Sequence, residues 1–261
     1  MQVSAALLGA LAALGLCAAV AVAAQEAAGP ARSGLDYISP ETRAMQADDT
    51  ANPGMLWVHD GERLWSTPVG PEGRSCASCH GDAAESMRGV AARYPVFDAG
   101  ARRPVDLQGR INSCRQGKQK APPLEAEGDE LLALTAFVAH QSRGLPVTPS
   151  EDPRLTRHVE NGRRLYEQRI GQLDLSCAAC HGGLAGSRLS GSLIPQAHPT
   201  AYPLYRLEWQ TVGSLQRRFR NCMIGVRAEP FDYGSGEFID LEAYLMSRAR
   251  GLPIETPGVR P

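Results

Sequence analysis

Two cysteines three residues apart, followed at once by a histidine, occur twice in the chain: Cys76-Ala77-Ser78-Cys79-His80 and Cys177-Ala178-Ala179-Cys180-His181. On one helical turn, thiols at i and i+3 emerge on the same side. They can join the two vinyl groups of one haem while the adjacent imidazole lies under the iron, which is c-type haem attachment. A zinc or dithiol redox pair is the competing chemistry. Zinc needs two further ligands, and no second Cys-x-x-Cys or histidine set lies close by in sequence. The expected cofactors are therefore two covalently attached c-type haems, held by Cys76, Cys79 and His80 in one half and by Cys177, Cys180 and His181 in the other.

Each histidine supplies one axial ligand, and a second must come from elsewhere. The chain is duplicated, and the duplication restricts the choice. GERLWSTPVGPEGRSCASCHG is repeated as GRRLYEQRIGQLDLSCAACHGG at an offset of 101 residues, and from Tyr94-Pro95 and Tyr202-Pro203 onward the offset is 108. Seven extra residues thus lie in the Gly/Ser-rich stretch after His181. Met87, Met223, His59, His158 and His198 have no counterpart of the same type in the other half. Cys114 and Cys222 match each other, which pairs His80 with Cys114 on one iron and His181 with Cys222 on the other. A disulfide between Cys114 and Cys222 is the alternative; the duplication argues against it, because each cysteine would predate its partner. A thiolate ligand stabilises ferric iron and lowers the potential.

Arginines flank both cysteines. Arg218 and Arg110 each stand four residues before the cysteine, so on a helix they share its face. Guanidinium groups there would hold a small dianion and favour a thiolate. Because Arg110, Arg115, Lys118 and Lys120 in the first half answer Arg217, Arg218, Arg220 and Arg227 in the second, charge counting does not separate the halves.

The elements that position these residues follow from length and pattern. With 261 residues, 6% aromatic content, 27 glycines and 19 prolines, two small domains need another source of core, such as disulfides, a metal or a bulky cofactor, and the two haems supply it. Helices are expected over 129–142 and 238–248, with Leu131, Leu134, Phe137 and Val138 on one apolar face and the Gly-Leu-Pro of 144–146 and 251–253 as stops. The fold expected is all-α: two tandem c-type cytochrome domains with long loops, residues 25–149 and 150–261, joined near 146–153. Residues 1–24 carry no charged side chain and read as a secretory signal that takes Cys17 with it, a retained anchor being the alternative. Both imply export to the periplasm, with no stable membrane span after cleavage. A net charge of −1 gives no reason to expect a nucleic-acid partner.

Two Cys-x-x-Cys-His motifs, each followed by a solitary cysteine and the second set in RNCMIGVRAEP, resemble the A-subunit family of SoxAX, the cytochrome complex of bacterial thiosulfate oxidation. The resemblance spans the chain after the signal. It implies an L-cysteine S-thiosulfotransferase that joins thiosulfate oxidatively to a cysteine of the carrier protein SoxYZ, in a heterodimer with a SoxX-like monohaem cytochrome subunit. It further implies that Cys222 is the active-site haem ligand, carried as a persulfide, that Arg218 holds the substrate anion, and that the second-half haem is the catalytic one. A dihaem electron carrier without bond-forming activity is the rival reading, and a dihaem peroxidase a third.

Overall fold

Residues 30–261 are described in this computed structural model, and the segment 1–24 read as a signal lies outside them. The longer helices are α1 (Pro40–Ala47), α2 (Met55–Ser66), α3 (Leu107–Gly117), α4 (Asp129–His140), α5 (Thr156–Glu167), α6 (Leu215–Gly225) and α7 (Gly236–Arg248). Helix α2 turns Met55, Val58, Gly61 and Trp65 inward, the three-to-four spacing of a single face. That face crosses α4 at Gly61, where a Cβ would lie 2.1 Å from the Ala133 carbonyl oxygen. The second half repeats the crossing: α5 meets α7 at Gly162, whose Cβ would fall 2.0 Å from the Asp240 carbonyl. A glycine inside a helix costs about 1 kcal/mol relative to alanine. Here it is required, because backbone touches backbone.

Between the crossing helices lies a stretch that the sequence leaves as loop, and it contains strands. Hairpin β1 (Val96–Asp98)–β2 (Arg103–Val105) runs directly into α3, and its repeat, after the two-residue ladder β3 (Arg188–Leu189)–β4 (Ser192–Leu193), is β5 (Leu204–Arg206)–β6 (Thr211–Gly213) running into α6. The fold is helix-rich, as expected of two cytochrome domains, with short strands in the long loops. Strands of three residues are too short for an alternating pattern to show in sequence.

The halves interlock over 32–261. The repeated Gly-Leu-Pro stops pair with one another: Val147 N–H donates to the Leu252 carbonyl at 2.8 Å and Ile254 N–H to the Leu145 carbonyl at 2.9 Å. Helix α4 is buried on every side from Leu131 to Ala139, not on one face as its periodicity suggests. Its Leu132 packs on Tyr205 and Val212 of the second-half hairpin, while Phe137 and Val138 pack on α2. The C-terminal strand β7 (Gly258–Arg260) joins β5 in parallel and is clamped by the first half, with Gln46 Oε1 accepting from Val259 N–H at 2.9 Å and Asn52 Nδ2 donating to the Pro257 carbonyl at the same distance. No helix among the described residues is long and apolar enough to cross a membrane.

Gly162→Ala, which forces a methyl into the Asp240 carbonyl, is expected to destabilise the protein by about 1–3 kcal/mol. Gly225→Ala, with nothing within 4 Å of the new Cβ, is expected to be neutral or slightly stabilising, and thermal denaturation of the two variants checks the contrast.

Candidate haem and anion site

Each Cys-x-x-Cys-His segment forms a short turn directly after a tight loop. The loop is closed by the bridge Val69–Arg74 in the first half and Ile170–Leu175 in the second. Each loop is seated on the tail of the cysteine-bearing helix by a glycine at positive φ. Gly70 (φ +68) would place a Cβ 1.9 Å from the Gln119 carbonyl, five residues after Cys114, and Gly171 (φ +69) would place one 2.2 Å from the Val226 carbonyl, four after Cys222. Only glycine meets both the conformation and the contact. The loop contact brings the solitary cysteine to the motif: Cys114 lies close enough to Cys76, and Cys222 to Cys177, for each pair to interact electrostatically. All six described cysteines are free, and the two solitary ones belong to different clusters. The disulfide alternative therefore has no bridge here.

The groups present fit c-type haem. Burial pushes the Cys177 thiol up to about 11 and, helped by Cys222, keeps it uncharged; burial also raises Cys76. His181 Nδ1 donates to the Pro195 carbonyl at 2.7 Å, and burial keeps the ring neutral, so Nε2 is left as the free ligand atom. Pro195 belongs to the segment lengthened by seven residues in the second half, and the β3–β4 ladder holds it, with Ile194 N–H donating to the Ser187 carbonyl. His80 has a different support, its ring centroid lying 5.7 Å from that of Trp65. Trp65 is in turn fixed by Nε1–H donating to the Gly81 carbonyl at 3.1 Å. Tyr166, at the position matching Trp65, is buried beside the second cluster with the Arg248 guanidinium 4.7 Å from its ring centroid. Among the described residues no group of three or more His, Cys, Asp or Glu side chains could hold a metal ion, so the zinc alternative finds no site. Of the histidines without counterparts, His158 pairs with Asp240 at 2.7 Å and His198 donates to the Arg32 carbonyl at 2.7 Å.

The arginines separate the halves. Helices α3 and α6 start at matched caps, Asp106 accepting from Gly109 N–H and Ser214 from Arg217 N–H, which puts Arg110 and Arg218 one turn before their cysteines. Arg110 is neutralised by Asp98 of β1 at 2.7 Å. Arg218 has no carboxylate within 4.0 Å among the described residues. Burial opposes its charge, but Cys222, Tyr202 and Glu208 hold its pKa above the ordinary arginine value. At the β5 position matching Asp98 stands Arg206, half-buried, so the pairing carboxylate of one half is replaced by a second cation in the other. Repeat alignment at offset 108 contains this Asp98/Arg206 reversal, and it is the signal that charge counting passes over.

A family profile described as "SoxA/TsdA, cytochrome c domain" matches residues 60–147 and 161–254, one copy per half. The chain belongs to this family. Among curated relatives, the L-cysteine S-thiosulfotransferase subunit SoxA of Pseudaminobacter salicylatoxidans is 41% identical over 229 residues, 87% of this chain and 80% of that protein. The protein of the same description from Rhodovulum sulfidophilum is 37% identical over 88% of this chain and 80% of its own length. The crystal structure of SoxXA from P. pantotrophus superposes with a TM-score of 0.85 at 32% identity, covering 88% of this chain and 87% of that one. The family makes this a c-type cytochrome, and the two profile copies coincide with the two halves defined by the glycine crossings.

Gly171→Ala, at positive φ and against the Val226 carbonyl, is expected to unseat the loop from the tail of α6. Faster hydrogen exchange at 222–228 than in the parent protein, with 114–120 unchanged, is the expected result.

Proposed function

We propose that this chain is the SoxA subunit of an L-cysteine S-thiosulfotransferase. It carries two c-type haems, works in the periplasm after export directed by residues 1–24, and pairs with a SoxX-like monohaem cytochrome subunit. The overall reaction is R–SH + S2O3²⁻ → R–S–S–SO3⁻ + H⁺ + 2e⁻, with R–SH a cysteine of the SoxYZ carrier. One S–S bond forms, the proton leaves the carrier thiol, and two electrons are given up to an acceptor. Bound haem supplies the electron acceptor. Cys76, Cys79, His80 and Cys114 would hold one, and Cys177, Cys180, His181 and Cys222 the other.

The observation that supports this reading is the placement of Cys222 beside an arginine that, among the described residues, has no carboxylate within 4.0 Å. Two thiosulfate charges approaching a sulfur anion repel it, and a fixed guanidinium in a half-buried site offsets that repulsion where the new S–S bond forms. Arg218 meets this need; Arg110, tied to Asp98, does not. Burial holds the site's charges in a medium that screens them less than water. The second half is accordingly the working half, and the first serves as an accessory electron centre.

Cys222→Ser is expected to retain both covalent haems by intact mass and to lose thiosulfate transfer to SoxYZ by at least about 10³-fold. Arg218→Ala is expected to raise the KM for thiosulfate roughly tenfold or more. Transfer at the parent rate by the Cys222→Ser protein would overturn the assignment.

A further inference from the structure

The Asp98/Arg206 reversal has a structural consequence on the Cys222 side of the molecule. Hairpins β1–β2 and β5–β6 share one register, Asp98 opposite Arg103 and Arg206 opposite Thr211, and each feeds the matching helix. In the first half this geometry sets the residue at the end of the first strand within 2.7 Å of the helix arginine. Arg206 occupies that place in the second half and so faces Arg218, whose charge adds to burial in pushing the Arg206 pKa down. Among the described residues, one carboxylate reaches Arg206 within 4.0 Å. Nη2 reaches Glu208 Oε2 at 3.1 Å, but Glu208 is 67% exposed while Arg206 is only 14% exposed. Its guanidinium lies 5.2 Å from the Trp209 ring centroid, on which Arg217 also stacks, and its Nε is buried with no hydrogen-bond partner. Two half-buried cations facing one another, one of them with an N–H unmet, make a place where an anion would be stabilised.

We infer that Arg206 and Arg218 together form a two-arginine site for one tetrahedral sulfur oxyanion, with Glu208 as the internal competitor that occupies Arg206 until the anion arrives. Two forks account for dianion recognition better than Arg218 alone, because each guanidinium presents paired N–H donors to a different edge of the anion. Glu208, held by an exposed carboxylate contact worth little, can swing into solvent at small cost. The cation–π contact with the Trp209 ring holds the Arg206 guanidinium in place when Glu208 leaves. The first half, with Asp98 filling the corresponding place, binds no such anion. The identity of the anion as thiosulfate rests on the function proposed above; the site itself does not.

The test uses the haem-loaded protein with its small cytochrome subunit, titrated calorimetrically with sodium thiosulfate in the absence of the carrier, alongside steady-state transfer to SoxYZ. The parent protein is expected to bind one thiosulfate per chain. Arg206→Gln should weaken that binding and raise the KM roughly ten- to a hundredfold with kcat within about twofold, Arg206→Lys should restore part of the loss, and Glu208→Gln should tighten binding roughly two- to fivefold. Unchanged binding and KM in both Arg206→Gln and Glu208→Gln would overturn the site, as would a second thiosulfate of equal affinity abolished by Arg110→Gln. If Cys222→Ser retains transfer, the proposed reaction fails, yet the carrier-free titration still decides for or against the arginine pair. Should Arg206→Gln fail to fold, Glu208→Gln decides, since a merely structural Arg206–Glu208 pair predicts no gain in affinity.

Discussion

Everything at either sulfur cluster depends on two helix crossings that leave no room for a side chain. At Gly61 and Gly162 the neighbouring backbone carbonyl occupies the place of a Cβ, so the helix before each motif and the helix closing each half are held at backbone contact. A closer approach is impossible and a wider one would open the core, since dispersion between packed groups falls off within an ångström. The end of α2 or α5 therefore points in a fixed direction. The loop that follows, seated by Gly70 or Gly171 on the tail of the cysteine-bearing helix, delivers two thiols and an imidazole opposite a third thiol. The cysteine pair with its histidine and the solitary cysteine thus come from separate chain segments, and glycine contacts set their spacing.

On this shared frame the halves have diverged by charge and by length. One substitution in a hairpin, aspartate in β1 and arginine in β5, closes the arginine of the first half with a carboxylate and leaves that of the second facing another cation. One lengthened loop gives His181 a carbonyl partner, while His80 leans on an indole. Both changes sit outside the motifs and alter what the motif residues can do. An arginine already paired gains little from an approaching anion, because the anion must displace a carboxylate; an unpaired one gains the full interaction. Of two halves built on one frame, one closes its helix arginine with a carboxylate and the other sets a second arginine in that place.

Interlocking also limits how far the halves act separately. The repeated Gly-Leu-Pro segments hydrogen-bond to each other, Gln216 of α6 donates to the Asp106 cap of α3 at 2.9 Å, and β7 lies under the first half's Gln46 and Asn52. Gln108, which matches Gln216, has its amide nitrogen buried without a partner, so this tie is made from one side only. The two clusters are thereby held by one shared core, with α4 buried between its own half and the hairpin of the other.

The sequence by itself determined the cytochrome c class, the duplication and the matching of Cys114 with Cys222 as equivalent positions, because the Cys-x-x-Cys-His motif is local and a repeat is visible as an offset. It also determined the closing helices and their glycine stops, which obey local rules of periodicity and capping. Only the tertiary structure decided which arginine is free, because Asp98 and Arg110 are twelve residues apart and meet only through a three-residue hairpin with no pattern of its own. It alone decided that α4 has no exposed face and that Pro195 supports His181. Spacing along a chain reports chemistry that one segment performs; charge pairing between segments depends on how they fold together, and that pairing is what distinguishes the two halves of this protein.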